Sequence, residues 1–221
     1  MAKLSLMSTI FNADTAHRTT RIWDITGVAT SLILVPAPGD EIAWFGGFIA
    51  EACARGRPPF VMVIGNAAAN PAAAHHDTPA RGINSTRASR SACTALGLPA
   101  DRLLFVGLQQ PAAIEPDDVL YNALKTAIDR IAWRYDCGIL GVISPYQPTP
   151  GSAEIYRLAG DIADDAALGL FAAGSAEDAR SLHPARSWRL HTAPSEALKH
   201  RALACIHRPT PTAGAELFFR L

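Results

Sequence analysis

Leu32-Ile33-Leu34-Val35-Pro36-Ala37-Pro38-Gly39-Asp40-Glu41 joins an apolar run to a Pro/Gly turn and two adjacent carboxylates. The apolar run reads as a strand buried on both faces, and the turn as the loop it feeds. From Trp44 to Arg55, Phe45, Phe48, Ile49, Ala52 and Cys53 recur at helical spacing, and Gly56 supplies a C-terminal cap. The carboxylates are therefore expected between the carboxyl end of a strand and the start of a helix. In open α/β sheets that crevice is where ligands bind.

Working outward, Phe60-Val61-Met62-Val63-Ile64 is a second short, continuous apolar run. It enters an Ala/Asn/Pro/His-rich stretch, 65–84, that holds His75-His76-Asp77, the densest cluster of potential metal ligands in the chain. Ser85 is a good N-cap for a helix ending near Gly97, with a strand at Arg102-Leu103-Leu104-Phe105-Val106. A helix is expected from about Asp117 to Tyr135, with Leu120, Leu124, Ala127, Ile128, Ile131 and Tyr135 on one stripe. It leads to the strand Gly138-Ile139-Leu140-Gly141-Val142-Ile143 and a proline-rich loop, 144–152. Ile155, Leu158, Ala159, Ile162 and Ala163 then face inward on a further helix.

Four alternations of strand and helix predict an α/β fold: a Rossmann-like, doubly wound, mostly parallel sheet with right-handed crossovers. One domain over 1–221 is expected. Residues 1–30, with a short alternating piece at Arg21-Ile22-Trp23-Asp24-Ile25, form an N-terminal extension or edge. Residues 186–221 form a closing cap: an edge strand at Trp188-Arg189-Leu190, a helix from Ser195 to Cys205, and a last strand at Glu216-Leu217-Phe218-Phe219.

Composition narrows the function classes. Among 221 residues, lysine plus arginine and aspartate plus glutamate number 20 each, so no overall field attracts nucleic acid or an anionic membrane. The four cysteines (Cys53, Cys93, Cys137 and Cys205) are scattered without a CxxC pair, as expected of core thiols in a reducing compartment. No apolar stretch matches a signal peptide or a membrane span, and a cytoplasmic protein is expected. A nucleotide-binding reading is weak, because neither GxGxxG nor GxxxxGK[ST] follows any strand.

The order of pieces resembles the PIG-L/LmbE superfamily of zinc-dependent deacetylases acting on N-acetylglucosamine-containing substrates. Residues 36–41 stand where that family has A-H-P-D-D-E, and Gly46-Gly47 where it has its glycine pair. Arg87, Leu96-Gly97-Leu98, the 103–108 strand, Lys199, Ala202-Leu203 and Glu216-Leu217-Phe218 extend the likeness over most of the chain from residue 31. The resemblance implies a zinc site made by the first-loop His, the second Asp of that loop and a His of a later H-P-D-H loop, with the first Asp as general base. Here the first ligand stands as Ala37, the base as Gly39, and only Asp40 of the set remains. The later loop reads Thr149-Pro150-Gly151-Ser152, and the Glu that follows the family's Arg in the second helix stands as Arg90.

These departures remove chemistry. Catalytic zinc needs about three protein ligands and an open position for water. Without the ion no water is made acidic, and without a base, proton transfer worth roughly 10²–10⁴-fold is lost. The leading expectation is a diverged protein without zinc that does not hydrolyse amides and serves as a carbohydrate-binding or partner subunit. The rival is an active metal-dependent N-acetyl-sugar deacetylase with a rebuilt zinc site of Asp40 with His75, His76 or Asp77. Candidate ligand contacts are Asp40, Glu41, Arg87, Tyr146 and Gln147, with Arg90 beside Arg87 for an anionic or sugar group and the Trp44 and Phe45 rings for stacking on a sugar. Against these stand plainer roles: a helix cap for Asp40 and Glu41, a polar loop tip for His75-His76-Asp77, a solvated helix face for Arg87 and Arg90, and core packing for Trp44 and Phe45.

Overall fold

The computed structural model describes residues 22–27, 29–66, 78–109, 111–116, 118–175, 177–182, 186–191, 195–206 and 215–221. In chain order the helices are α1 (Ile22–Thr26), α2 (Asp40–Ala54), α3 (Thr78–Ala95), α4 (Val119–Arg134), α5 (Ser152–Ala166), α6 (Asp178–Leu182) and α7 (Glu196–Cys205). The strands are β1 (Thr30–Val35), β2 (Phe60–Gly65), β3 (Leu103–Leu108), β4 (Cys137–Ile143), β5 (Gly169–Gly174), β6 (Arg186–His191) and β7 (Ala215–Arg220).

All seven strands join one sheet in the order β3-β2-β1-β4-β5-β7-β6. The first five pair in parallel, while β7 lies antiparallel to both β5 and β6. Period-two geometry explains why the β1 run is apolar at every position. Leu32 and Leu34 enter a core with α4 and α5, whereas Ile33 and Val35 enter the opposite core with α2, α3 and α7. Strand order reverses between β1 and β4, so the loops leaving their carboxyl ends, 36–39 and 144–151, flank the crevice of a doubly wound sheet.

Several boundaries differ from the sequence reading. Helix α2 begins at Asp40 instead of Trp44, placing both carboxylates inside its first turn. Its far end behaves as expected: Gly56, at φ 71°, donates to Cys53 O at 2.9 Å while Arg57 N–H reaches Ala52 O at 2.9 Å, a glycine-terminated close. Helix α3 starts at Thr78 and takes in residues expected to be loop. On α4 the buried stripe is Tyr121, Leu124, Ile128 and Ala132: Leu124 and Ile128 are buried as expected, but Tyr121 and Ala132 replace Leu120, Ala127 and Tyr135, which are exposed. The piece at 22–26 is helical, not alternating. Strand β5, an Ala/Gly-rich run, went unanticipated, while β6 takes the expected edge position and β7 is the expected last strand, both joined to the sheet beyond β5. Cys93 and Cys137 are buried, but Cys205 is exposed, and all four thiols are free.

Candidate functional site

The loop between β1 and α2 is closed by its own acids. Gly39 sits at φ 95°, a left-handed conformation that L side chains rarely adopt, and turns the chain directly into the helix. The Asp40 carboxylate, fully buried, accepts the Ala37 N–H through Oδ2 at 3.1 Å. Glu41, also fully buried, accepts the Gly39 N–H through Oε2 at 2.8 Å and the Ser89 hydroxyl of α3 through Oε1. Both acids thus bind N–H groups of the preceding loop. Burial pushes the Glu41 carboxyl up to about 7, with the neighbouring Asp40 charge adding to the rise and the Ser89 hydrogen bond opposing it.

Across the crevice, Ser144 is fully buried and Tyr146 stands 57% exposed. The Gln147 Nε2 donates to Asp178 Oδ2 at 2.5 Å, and that same oxygen accepts the Ser175 N–H at 2.8 Å. Asp178 therefore fixes the Gln147 amide and ties the loop after β4 to the loop after β5. At the start of α5, Gly151 is left-handed (φ 88°), and the buried Ser152 Oγ has no hydrogen-bond partner among the described residues.

A third feature lies against the middle of α2. The Glu216 carboxylate accepts N–H groups from the middle of α2, Gly47 at 2.7 Å and Phe48 at 2.9 Å. Lys199 of α7 donates to the same carboxylate at 2.5 Å. A Cβ at Gly46 would stand 3.1 Å from the Lys199 side chain, so glycine there leaves room for the lysine to reach its partner.

Of the sequence-derived candidates, Asp40 and Glu41 lie together in the first loop, and Tyr146 and Gln147 in the second. Arg87 and Arg90 are exposed on α3, with the Arg90 guanidinium 4.9 Å from the centroid of the Phe105 ring. Phe45 is fully buried among Phe48, Phe171 and Phe218, and Trp44 packs on the same core. His75, His76 and Asp77 lie outside the described residues. Sequence reading missed Ser89 and Asp178. Ser89 carries only the weak signal of sharing a helical face with Cys93, and nothing local marks Asp178.

The donor set among the described residues does not fit zinc. Ala37 and Gly39 have no side-chain donor, Ser152 offers a hydroxyl where an imidazole would be needed, and Asp40 is engaged with its own loop. No group of three or more His, Cys, Asp or Glu side chains capable of holding a metal occurs among those residues.

Neither a protein-family model nor a curated relative matches the sequence. Solved structures do match. The 4-carboxy-2-hydroxymuconate hydratase GalB of Pseudomonas putida is 13% identical over 87% of this chain and 96% of its own, with a TM-score of 0.67. A triple mutant of the deacetylase of the teicoplanin biosynthetic pathway gives 13%, 87%, 98% and 0.67 in the same order. The N,N'-diacetylchitobiose deacetylase of Pyrococcus horikoshii gives 12%, 83%, 72% and 0.58. The chain therefore has the PIG-L/LmbE-like α/β fold seen in these deacetylases. Because a hydratase shares that fold, the scaffold alone does not set the reaction.

Proposed function

We propose that this chain is a non-hydrolytic relative of the PIG-L/LmbE-like deacetylases that uses the crevice between β1 and β4 to bind a sugar-containing molecule. The observation that carries this reading is the placement of Asp40 and Glu41: both carboxylates are fully buried and hold the loop that, in an enzyme of the resembled kind, would present ligand and base. The exposed Tyr146 ring offers an apolar face for a pyranose, and Gln147, fixed by Asp178, offers an amide for its hydroxyl groups. Structural neighbours that deacetylate teicoplanin-pathway compounds and diacetylchitobiose make carbohydrate the ligand class of choice. Four free thiols agree with a reducing cytoplasm.

The test combines metal analysis of protein purified without chelator or metal-affinity tag, acetate release from N-acetyl sugars, and binding to immobilised N-acetylglucosamine oligomers. Retention on the resin that falls in Tyr146→Ala, with substoichiometric zinc and no acetate release, is the expected outcome. Stoichiometric zinc that disappears in Asp40→Ala, accompanied by acetate release, establishes instead the rebuilt site with His75, His76 or Asp77.

A further inference from the structure

The side-chain amide of Gln147 has an oxygen end and a nitrogen end of nearly equal size, so shape alone cannot orient it. Asp178 does. Its Oδ2 accepts the Ser175 N–H at 2.8 Å, and a backbone N–H can only donate, so this oxygen is an acceptor that calls for a second donor from Gln147. Nε2 supplies it at 2.5 Å, and Oε1 is left without a hydrogen bond among the described residues.

The packing makes room for this contact. Asp178 is 4% exposed at the start of α6, and its carboxylate lies with the Ser144 side chain against Gly174. A Cβ at Gly174 would overlap that carboxylate, so glycine at the end of β5 lets it sit there.

The charges near the amide favour a donor in the ligand. Neither loop of the crevice, 36–39 or 144–151, contains lysine or arginine, whereas the acids Asp40, Glu41 and Asp178 border them. The start of α5 would favour an anion, but Glu154 already occupies its first turn. An acceptor oxygen beside a buried carboxylate attracts a donor and repels an anion.

We propose that Asp178 is a positioning residue that sets the specificity of the sugar-binding crevice proposed above. By holding Nε2 it presents Oε1 of Gln147 to the ligand, selecting a sugar through a donor group, a hydroxyl or a free amine, over an acidic sugar.

Calorimetric binding of three probes tests this: the N-acetylglucosamine trisaccharide, the glucosamine trisaccharide, and a hyaluronan tetrasaccharide with a carboxylate on alternate residues. Wild type should bind one or both trisaccharides about tenfold more tightly than hyaluronan. A preference for glucosamine assigns the donor to the amine, and equal trisaccharide affinities assign it to a hydroxyl. Asp178→Ala should weaken trisaccharide binding about tenfold, while Asp178→Asn, which keeps an oxygen for Ser175 and Gln147, should retain it. In a Gln147→Leu background Asp178→Ala should cost no further affinity, because a residue acting through Gln147 has nothing left to orient. Additive losses, an Asp178→Asn protein as weak as Asp178→Ala, or hyaluronan bound as tightly as the trisaccharides overturn the role of Asp178 while sugar binding stands. A wild type that binds none of the probes overturns both.

Discussion

Asp40 turns its carboxylate back onto Ala37, accepting that residue's backbone N–H at 3.1 Å from within the first turn of α2. The acid is thereby part of the scaffold. Asp40→Asn keeps an oxygen able to accept the same N–H and is expected to unfold within about 1 kcal/mol of wild type. Asp40→Ala leaves the part-buried Ala37 N–H without this acceptor and should cost about 1–2 kcal/mol. Urea unfolding of the two variants checks this, and equal stabilities would show that the bond does not hold the loop.

Glu41 makes stability depend on pH. Its carboxyl titrates at 4.5 in the reference state and at about 7 when folded, chiefly because it is buried. Between those values the native state holds a proton that the unfolded state has released. Stability from this group is therefore fully present below pH 4.5 and is lost as pH rises through about 7, by on the order of 3 kcal/mol. Glu41→Gln should flatten that part of the profile and be the more stable protein at pH 8. Denaturant titrations of both proteins from pH 5 to about 8 provide the comparison, and parallel profiles would contradict the assignment.

Gly39 is required by its backbone. At φ 95° an added Cβ is strained, so Gly39→Ala should destabilise by about 1–2 kcal/mol. Gly39→Asp, which supplies a carboxylate where the family resemblance places the base, incurs the same strain and should release no acetate from N-acetyl sugars by itself. A stable, hydrolytic Gly39→Asp variant would show that the loop accommodates a catalytic acid.

Lys199 and Glu216 form a pair with side chains only 12% and 5% exposed, anchored to the Gly47 and Phe48 N–H groups. Removing one member of a buried pair costs about 3–5 kcal/mol, and Glu216→Ala should fall in that range because three donors lose their acceptor. Lys199→Met should cost less, since Glu216 keeps two backbone donors. Chemical denaturation of both variants gives the order, and a greater loss in Lys199→Met would place the main stabilisation in the charge pair instead of the backbone contacts.

Much of the scaffold was legible because buried parallel strands have a local signature. Residues 32–35, 60–64 and 138–143 are apolar at consecutive positions, and each lies within a strand covered on both sides. The stripe of α4 was harder, since Leu120 and Tyr121 are adjacent apolar residues and only the position of the sheet selects Tyr121 for burial. Strand β5 escaped because Gly169, Ala172, Ala173 and Gly174 lack the bulky residues that mark strands. For the candidate site, the sequence showed which donors were missing but not what the remaining ones touch.

The sequence by itself determined the alternation of strands and helices, the turn after β1, and the absence of side-chain donors at Ala37 and Gly39. These are properties of residue type and spacing over a few positions. Tertiary structure alone decided that Glu41 meets Ser89 across 48 residues, that Gln147 meets Asp178 across 31, and that Glu216 reaches Gly47 across 169. The physical reason is that a buried carboxylate must find donors wherever the fold brings them, and that choice is made by the packing of helices on the sheet, not by neighbours along the chain.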